Sequence, residues 1–138
     1  MAQNTTTPDQ MKYSCLIADD SEFARKNVSR VVTASGGEVV GEAKNGLEAV
    51  DLYFKLRPNL VLLDITMPEM DGIATLRQIM ERDKEAKVVI VSSAGHKEMV
   101  WKALCLGAKG FISKPFTHDY AGMIIESVAN GRQPGAQP

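Results

Sequence analysis

Short apolar runs alternate along the chain with stretches whose apolar residues recur every three or four positions. The first run, 14–19 (SCLIAD), reads as a strand buried on both faces, because its apolar residues are continuous rather than alternating. Ser21 can cap a helix reaching about Ala34, with Phe23, Val28, Val31 and Val32 as its apolar positions. Gly36-Gly37 breaks that helix, and 38–43 forms a second strand. Asn45-Gly46 turns the chain into a helix that ends near Leu56, before Pro58. Residues 60–64 make the most apolar strand of all. A loop with Pro68 and Gly72 follows, then a helix to about Asp83. A fourth strand is expected at 87–92, a helix at 97–106 stopped by Gly107, a short strand at 110–113, and a last helix capped by Thr117 that ends near Asn130.

Five β/α units of this length imply an α/β fold. The expectation is a doubly wound, flavodoxin-like sheet of five parallel strands with five helices on its two faces, reached by right-handed crossovers. The common strand order for such a sheet is 2-1-3-4-5. It places a crevice where strands one and three adjoin at their carboxyl ends.

Composition narrows the picture without changing it. A chain of 138 residues suits one domain, expected at 12–130 between polar tails at 1–11 (MAQNTTTPDQM) and 131–138 (GRQPGAQP). The formal net charge is −1 and no Lys/Arg block is present, which argues against a nucleic-acid surface. The apolar runs are strand-sized and the first residues lack an apolar signal core, so neither membrane insertion nor export is expected and the cytoplasm is the natural compartment. Cys15 and Cys105 each sit in an apolar run, outside any CxxC or His/Cys cluster, and read as buried, reduced thiols.

The chemistry lies at the carboxyl ends of the predicted strands. Strand one ends in Asp19-Asp20 and strand three in Asp64, so three carboxylates converge on one crevice. Any one of them could simply cap a helix or turn. Three together repel unless a hard divalent cation resolves the conflict, and oxygen ligands suit Mg²⁺. Strand four delivers Ser92-Ser93, and Lys114-Pro115 after strand five delivers an ammonium. A metal, a hydroxyl and a cation around Asp64 form a set suited to phosphoryl transfer. Glycine-rich nucleotide loops are absent, and His96 and His118 stand alone. His96 follows strand four closely enough to edge the crevice.

Four segments in order carry a family resemblance that covers about 12–129. They are Asp19-Asp20, the run LLDITMPEMDG at 62–72, Ser92-Ser93-Ala94-Gly95, and GAKGFISKPF at 107–116. With these the chain resembles response-regulator receiver domains, among them the stand-alone chemotaxis regulators. The resemblance implies that Asp64 accepts a phosphoryl group from a histidine kinase. It implies that Asp20, Asp64 and the Thr66 carbonyl ligate Mg²⁺, with Asp19 holding a metal-bound water. Lys114 would contact the phosphoryl oxygens across a cis Lys114–Pro115 peptide. Phe111 would be an aromatic switch, and Ser92, or its neighbour Ser93, the hydroxyl switch. Such a domain is not an enzyme acting on an external substrate, although it assists its own phosphorylation and dephosphorylation. Output would come from docking a target protein, a flagellar-motor switch being one candidate, and a phosphatase is a further partner. The rival reading is a metal-dependent phosphatase or phosphotransferase with an Asp nucleophile. It would want a second acid two residues after Asp64, where Thr66 stands.

Overall fold

In the computed structural model, which describes residues 13–67 and 70–131, strands and helices alternate from end to end. In order they are β1 (Ser14–Ala18), α1 (Glu22–Ala34), β2 (Glu38–Ala43), α2 (Gly46–Leu56), β3 (Leu60–Asp64), α3 (Gly72–Arg82), β4 (Val88–Ser93), α4 (Lys97–Cys105), β5 (Gly110–Lys114) and α5 (His118–Ala129). A short 3₁₀ turn, Ala94–His96, links β4 to α4 and was not anticipated. The sheet is parallel in the order β2-β1-β3-β4-β5, as expected. The tail expected at 1–11, and all but Gly131 of the tail expected at 131–138, lie outside the described residues.

Local chemistry explains most boundaries. Ser21, Asn45, Asp71 and Thr117 each accept a hydrogen bond from a backbone N–H in the first turn of α1, α2, α3 and α5 respectively, satisfying donors that a helix start leaves free. Gly107, at φ +117°, closes α4 in the left-handed region that glycine alone adopts without strain.

Strand alternation divides the core into two layers. Leu16, Val61, Leu63, Val88 and Ile90 face the layer under α2, α3 and α4. Cys15, Ile17, Leu60, Leu62, Val89 and Val91 face the layer under α1 and α5. Both layers are apolar because both faces of the sheet are covered.

Two expectations fail here. Phe23 is 79% exposed and not part of the core. It precedes Val28 by five residues, about 140° round the helix at ~100° per residue, off the stripe made by Val28, Val31 and Val32. Cys105 is exposed as well, two residues past buried Ala103 and thus on the opposite side of α4. Cys15 is buried as expected, and burial pushes its thiol pKa up to about 12, so it is an inert core residue.

Candidate functional site

The pairing register brings the predicted residues to one edge. Ala18 lies opposite Leu63, and Asp64 opposite Val91, so the segments leaving β1, β3 and β4 emerge side by side. Asp19 and Asp20 follow β1 directly and Asp64 ends β3. A ligand oxygen from each of the three carboxylates lies within 4.8 Å of the other two.

Their surroundings differ. Asp19 is 4% exposed. Its Oδ1 accepts the Ser21 N–H at 2.9 Å, and its Oδ2 accepts from Lys114 Nζ at 3.0 Å. Its backbone carbonyl takes Arg25 Nη1 at 2.7 Å, while Arg25 Nε reaches Glu42 Oε1 at 2.9 Å. Asp20 is exposed. Asp64 is 6% exposed, and among the described residues its Oδ1 accepts just one long bond, 3.4 Å, from the Thr66 N–H. Burial, followed by the Asp19 charge, pushes the Asp64 pKa up to about 6. The Lys114 ammonium and the Thr66 N–H oppose the rise, and Asp20 adds to it.

Such a cluster fits a hard divalent cation. Asp64 is buried beside like charge with little hydrogen bonding of its own, so a cation would relieve the repulsion that raises its pKa. Thr66 follows two residues after Asp64, with its side chain exposed. Gly72 makes room for this corner: a Cβ there would stand 2.5 Å from the Asp64 carbonyl oxygen and 2.5 Å from Ile65 Cα.

Lys114 ends β5 opposite Ser93 and precedes a cis peptide to Pro115. Ser92 is buried and Ser93 exposed. Ser92 shares strand parity with Ile90, which places it on the face covered by α3 and α4. Phe111, opposite Ile90, packs partly buried against that same layer. It also lines an apolar groove of about 330 Å³ with Val100, Trp101 and Leu104 of α4 and with Ser93 and Ser113. Ser92 and Phe111 therefore share one face of the sheet, with Ser92 at the strand edge beside Asp64.

Sequence reasoning missed two contacts. The Lys114–Asp19 pair links residues 95 positions apart, and no local pattern announces it. His96, expected at most to edge the crevice, lies with Nδ1 2.7 Å from Ser92 Oγ. Four-residue spacing across a strand end has no meaning until the 3₁₀ turn is known. His118 is exposed, with Nε2 3.1 Å from Asn27 Oδ1.

A five-stranded 2-1-3-4-5 sheet with an acidic pocket at the β1/β3 crevice and a lysine at the end of β5 defines a receiver-type signalling domain. The response regulator receiver domain model matches residues 15–126, and the chain belongs to that family. It is similar to the chemotaxis protein CheY of Listeria monocytogenes, 49% identical over 114 residues that cover 83% of this chain and 96% of that protein. It is also 45% identical to CheY of Bacillus subtilis, over 87% of this chain and all of that one. Among solved structures, the CheX–CheY–BeF3–Mg complex from Borrelia burgdorferi contains a chain that matches with TM-score 0.80 and 40% identity, covering 84% of this chain and 88% of that one. CheY-like receiver domains are regulators rather than classical enzymes. No helix among the described residues is long and apolar enough to cross a membrane.

Proposed function

We propose that this chain is a single receiver unit over residues 12–130 that takes a phosphoryl group on Asp64 from a histidine kinase and, once modified, changes its binding to a target protein. The observation that carries this reading is the buried Asp64 carboxylate at the β1/β3 crevice, within 4.8 Å of Asp19 and Asp20 and close to the Lys114 ammonium. In the transfer, an Asp64 carboxylate oxygen attacks phosphorus, the bond to the donor histidine nitrogen breaks, and an acyl phosphate forms. Hydrolysis later returns inorganic phosphate and the free carboxylate.

Asp20, Asp64 and the Thr66 carbonyl would hold Mg²⁺, with Asp19 bound through a water. The ion would offset the charge of the incoming phosphoryl oxygens. Lys114, now paired with Asp19, is near enough to transfer its attraction to those oxygens. Ser92 supplies the hydroxyl donor. It is preferred to Ser93 because it is buried on the face that also carries Phe111. The groove between Phe111 and α4, with Trp101 69% exposed at its edge, is the docking surface for the target.

Chemotaxis is the pathway we favour, on the similarity to several CheY proteins, with a flagellar-motor component as the target and the cytoplasm as the compartment. The Borrelia burgdorferi CheY was solved with BeF3, Mg and the protein CheX, which fits a chain of this fold that combines a metal-dependent phosphoryl site with a partner surface.

The decisive experiment treats the protein with acetyl phosphate, with and without Mg²⁺, and reads the mass. One phosphoryl group should appear, only with Mg²⁺, and should be missing from Asp64→Asn. Equal incorporation into both proteins would remove Asp64 from its role.

A further inference from the structure

Ser92 shares its hydroxyl with a histidine. The side chain is 1% exposed, and its Oγ lies 2.7 Å from Nδ1 of His96. The turn Ala94–His96 folds the chain back at the end of β4, which returns a residue four positions on to the strand it has just left. His96 is the N-cap residue of α4 yet makes no side-chain capping bond to that helix. Its ring nitrogen is directed at hydroxyls instead, with Ser93 Oγ 3.3 Å from the same atom.

The direction of the bond follows from proton supply. A hydroxyl carries one proton, and a buried one left without an acceptor costs free energy. Among the described residues Ser92 Oγ makes no second hydrogen bond. The arrangement that satisfies both groups has the Ser92 O–H donating to an unprotonated Nδ1, with the ring proton on Nε2. A phosphoryl oxygen on Asp64 would need that same proton.

We propose that His96 is a positioning residue that holds the Ser92 hydroxyl in the unphosphorylated orientation, so that the Ser92–His96 bond must break before the phosphorylated state is complete. This rests on Asp64 being the phosphoryl acceptor and Ser92 the responding hydroxyl. It also supplies a route outward. His96 immediately precedes α4, whose Trp101 edges the groove against Phe111, so loss of the bond frees the turn that sets the start of that helix.

The test titrates fluoroberyllate, a phosphoryl mimic, into the Mg²⁺-loaded full chain and reads apparent affinity by calorimetry. Four proteins are compared with wild type: His96→Leu, His96→Asn, Ser92→Ala and Ser92→Ala/His96→Leu. Leucine removes the acceptor, and mimic binding should tighten about five-fold, the weight of one net hydrogen bond. Asparagine places an oxygen where Nδ1 stands and should bind within about two-fold of wild type, since the hydrogen bond is kept. In the Ser92→Ala background the leucine substitution should have no effect, because the residue acts through that hydroxyl. In wild type the ¹⁵N shift of Nδ1 should also change when the mimic binds. A His96→Leu protein that binds the mimic as wild type does, or more weakly, overturns the proposal, as does an effect that persists without Ser92. Failure of the wild type itself to take up the mimic with Mg²⁺ would instead overturn the phosphoryl-site reading and this inference with it.

Discussion

Lys114 Nζ stands 3.0 Å from Asp19 Oδ2, an ion pair that ties the end of β5 to the end of β1 across the whole crevice. Two cations would compete for that cluster if a metal entered, because the ammonium already neutralises part of its charge.

Replacing Lys114 should therefore separate metal binding from phosphoryl response. Lys114→Met is expected to bind Mg²⁺ several-fold more tightly than wild type, since a competing charge is gone. Asp20→Asn should move the opposite way, weakening Mg²⁺ by at least about ten-fold, the loss that even outer-sphere partners cost at metal sites. Calorimetric titration of both variants checks the pair of signs. A metal affinity unmoved in Asp20→Asn would take that residue out of the site.

The pKa of Asp64 has a stability consequence. Its folded value, about 6, lies above the ordinary carboxylate value of 3.8, so the folded chain binds more protons than the unfolded one between those pH values. Stability is then highest below about 4 as far as this group is concerned, and declines as pH rises through about 6. Without metal, Asp64→Asn should be more stable than wild type at pH 8 by about 1–3 kcal/mol, the size that such a shift allows. The difference should vanish near pH 4. Urea unfolding at the two pH values measures it.

Phe111 and Trp101 line one groove, which makes Trp101 a reporter on Phe111. Binding of fluoroberyllate with Mg²⁺ should draw the Phe111 ring inward and alter the emission of the largely exposed indole. Population-shift arithmetic asks for about 1.4 kcal/mol of differential binding to move the equilibrium ten-fold. Ser92→Ala should mute the response while leaving Mg²⁺ affinity unchanged. A Phe111 ring with identical NMR shifts in both states would rule out the coupling.

Gly72 should resist substitution. An added Cβ would press on the Asp64 carbonyl and on Ile65 Cα, both backbone and both at the corner that carries Asp64. Gly72→Ala is expected to cost about 1–3 kcal/mol, the usual penalty of overpacking. Chemical denaturation would show it, and an unchanged midpoint would mean that the corner yields easily.

Much of this molecule was legible in one dimension. The run at Leu60–Asp64 reads as the most apolar strand, and Ser21, Asn45 and Thr117 mark helix starts through side chains they use as caps. The order of β/α units then implied which strand ends would meet, and so which aspartates would face one another. These are local propensities and periodicities, written residue by residue. What lay beyond the sequence was every property that depends on which groups face each other across distant segments. Phe23 counted as apolar in the sequence but is turned to solvent by its phase on α1. The same phase effect put Cys105 on the outside of α4. The pairing of Lys114 with Asp19, the hold of His96 on Ser92 and the raised pKa of Asp64 arise only once the ends of β1, β3, β4 and β5 converge at a single edge. Charge, desolvation and hydrogen-bond partnership act through space, and only the packed sheet decides which distances are short.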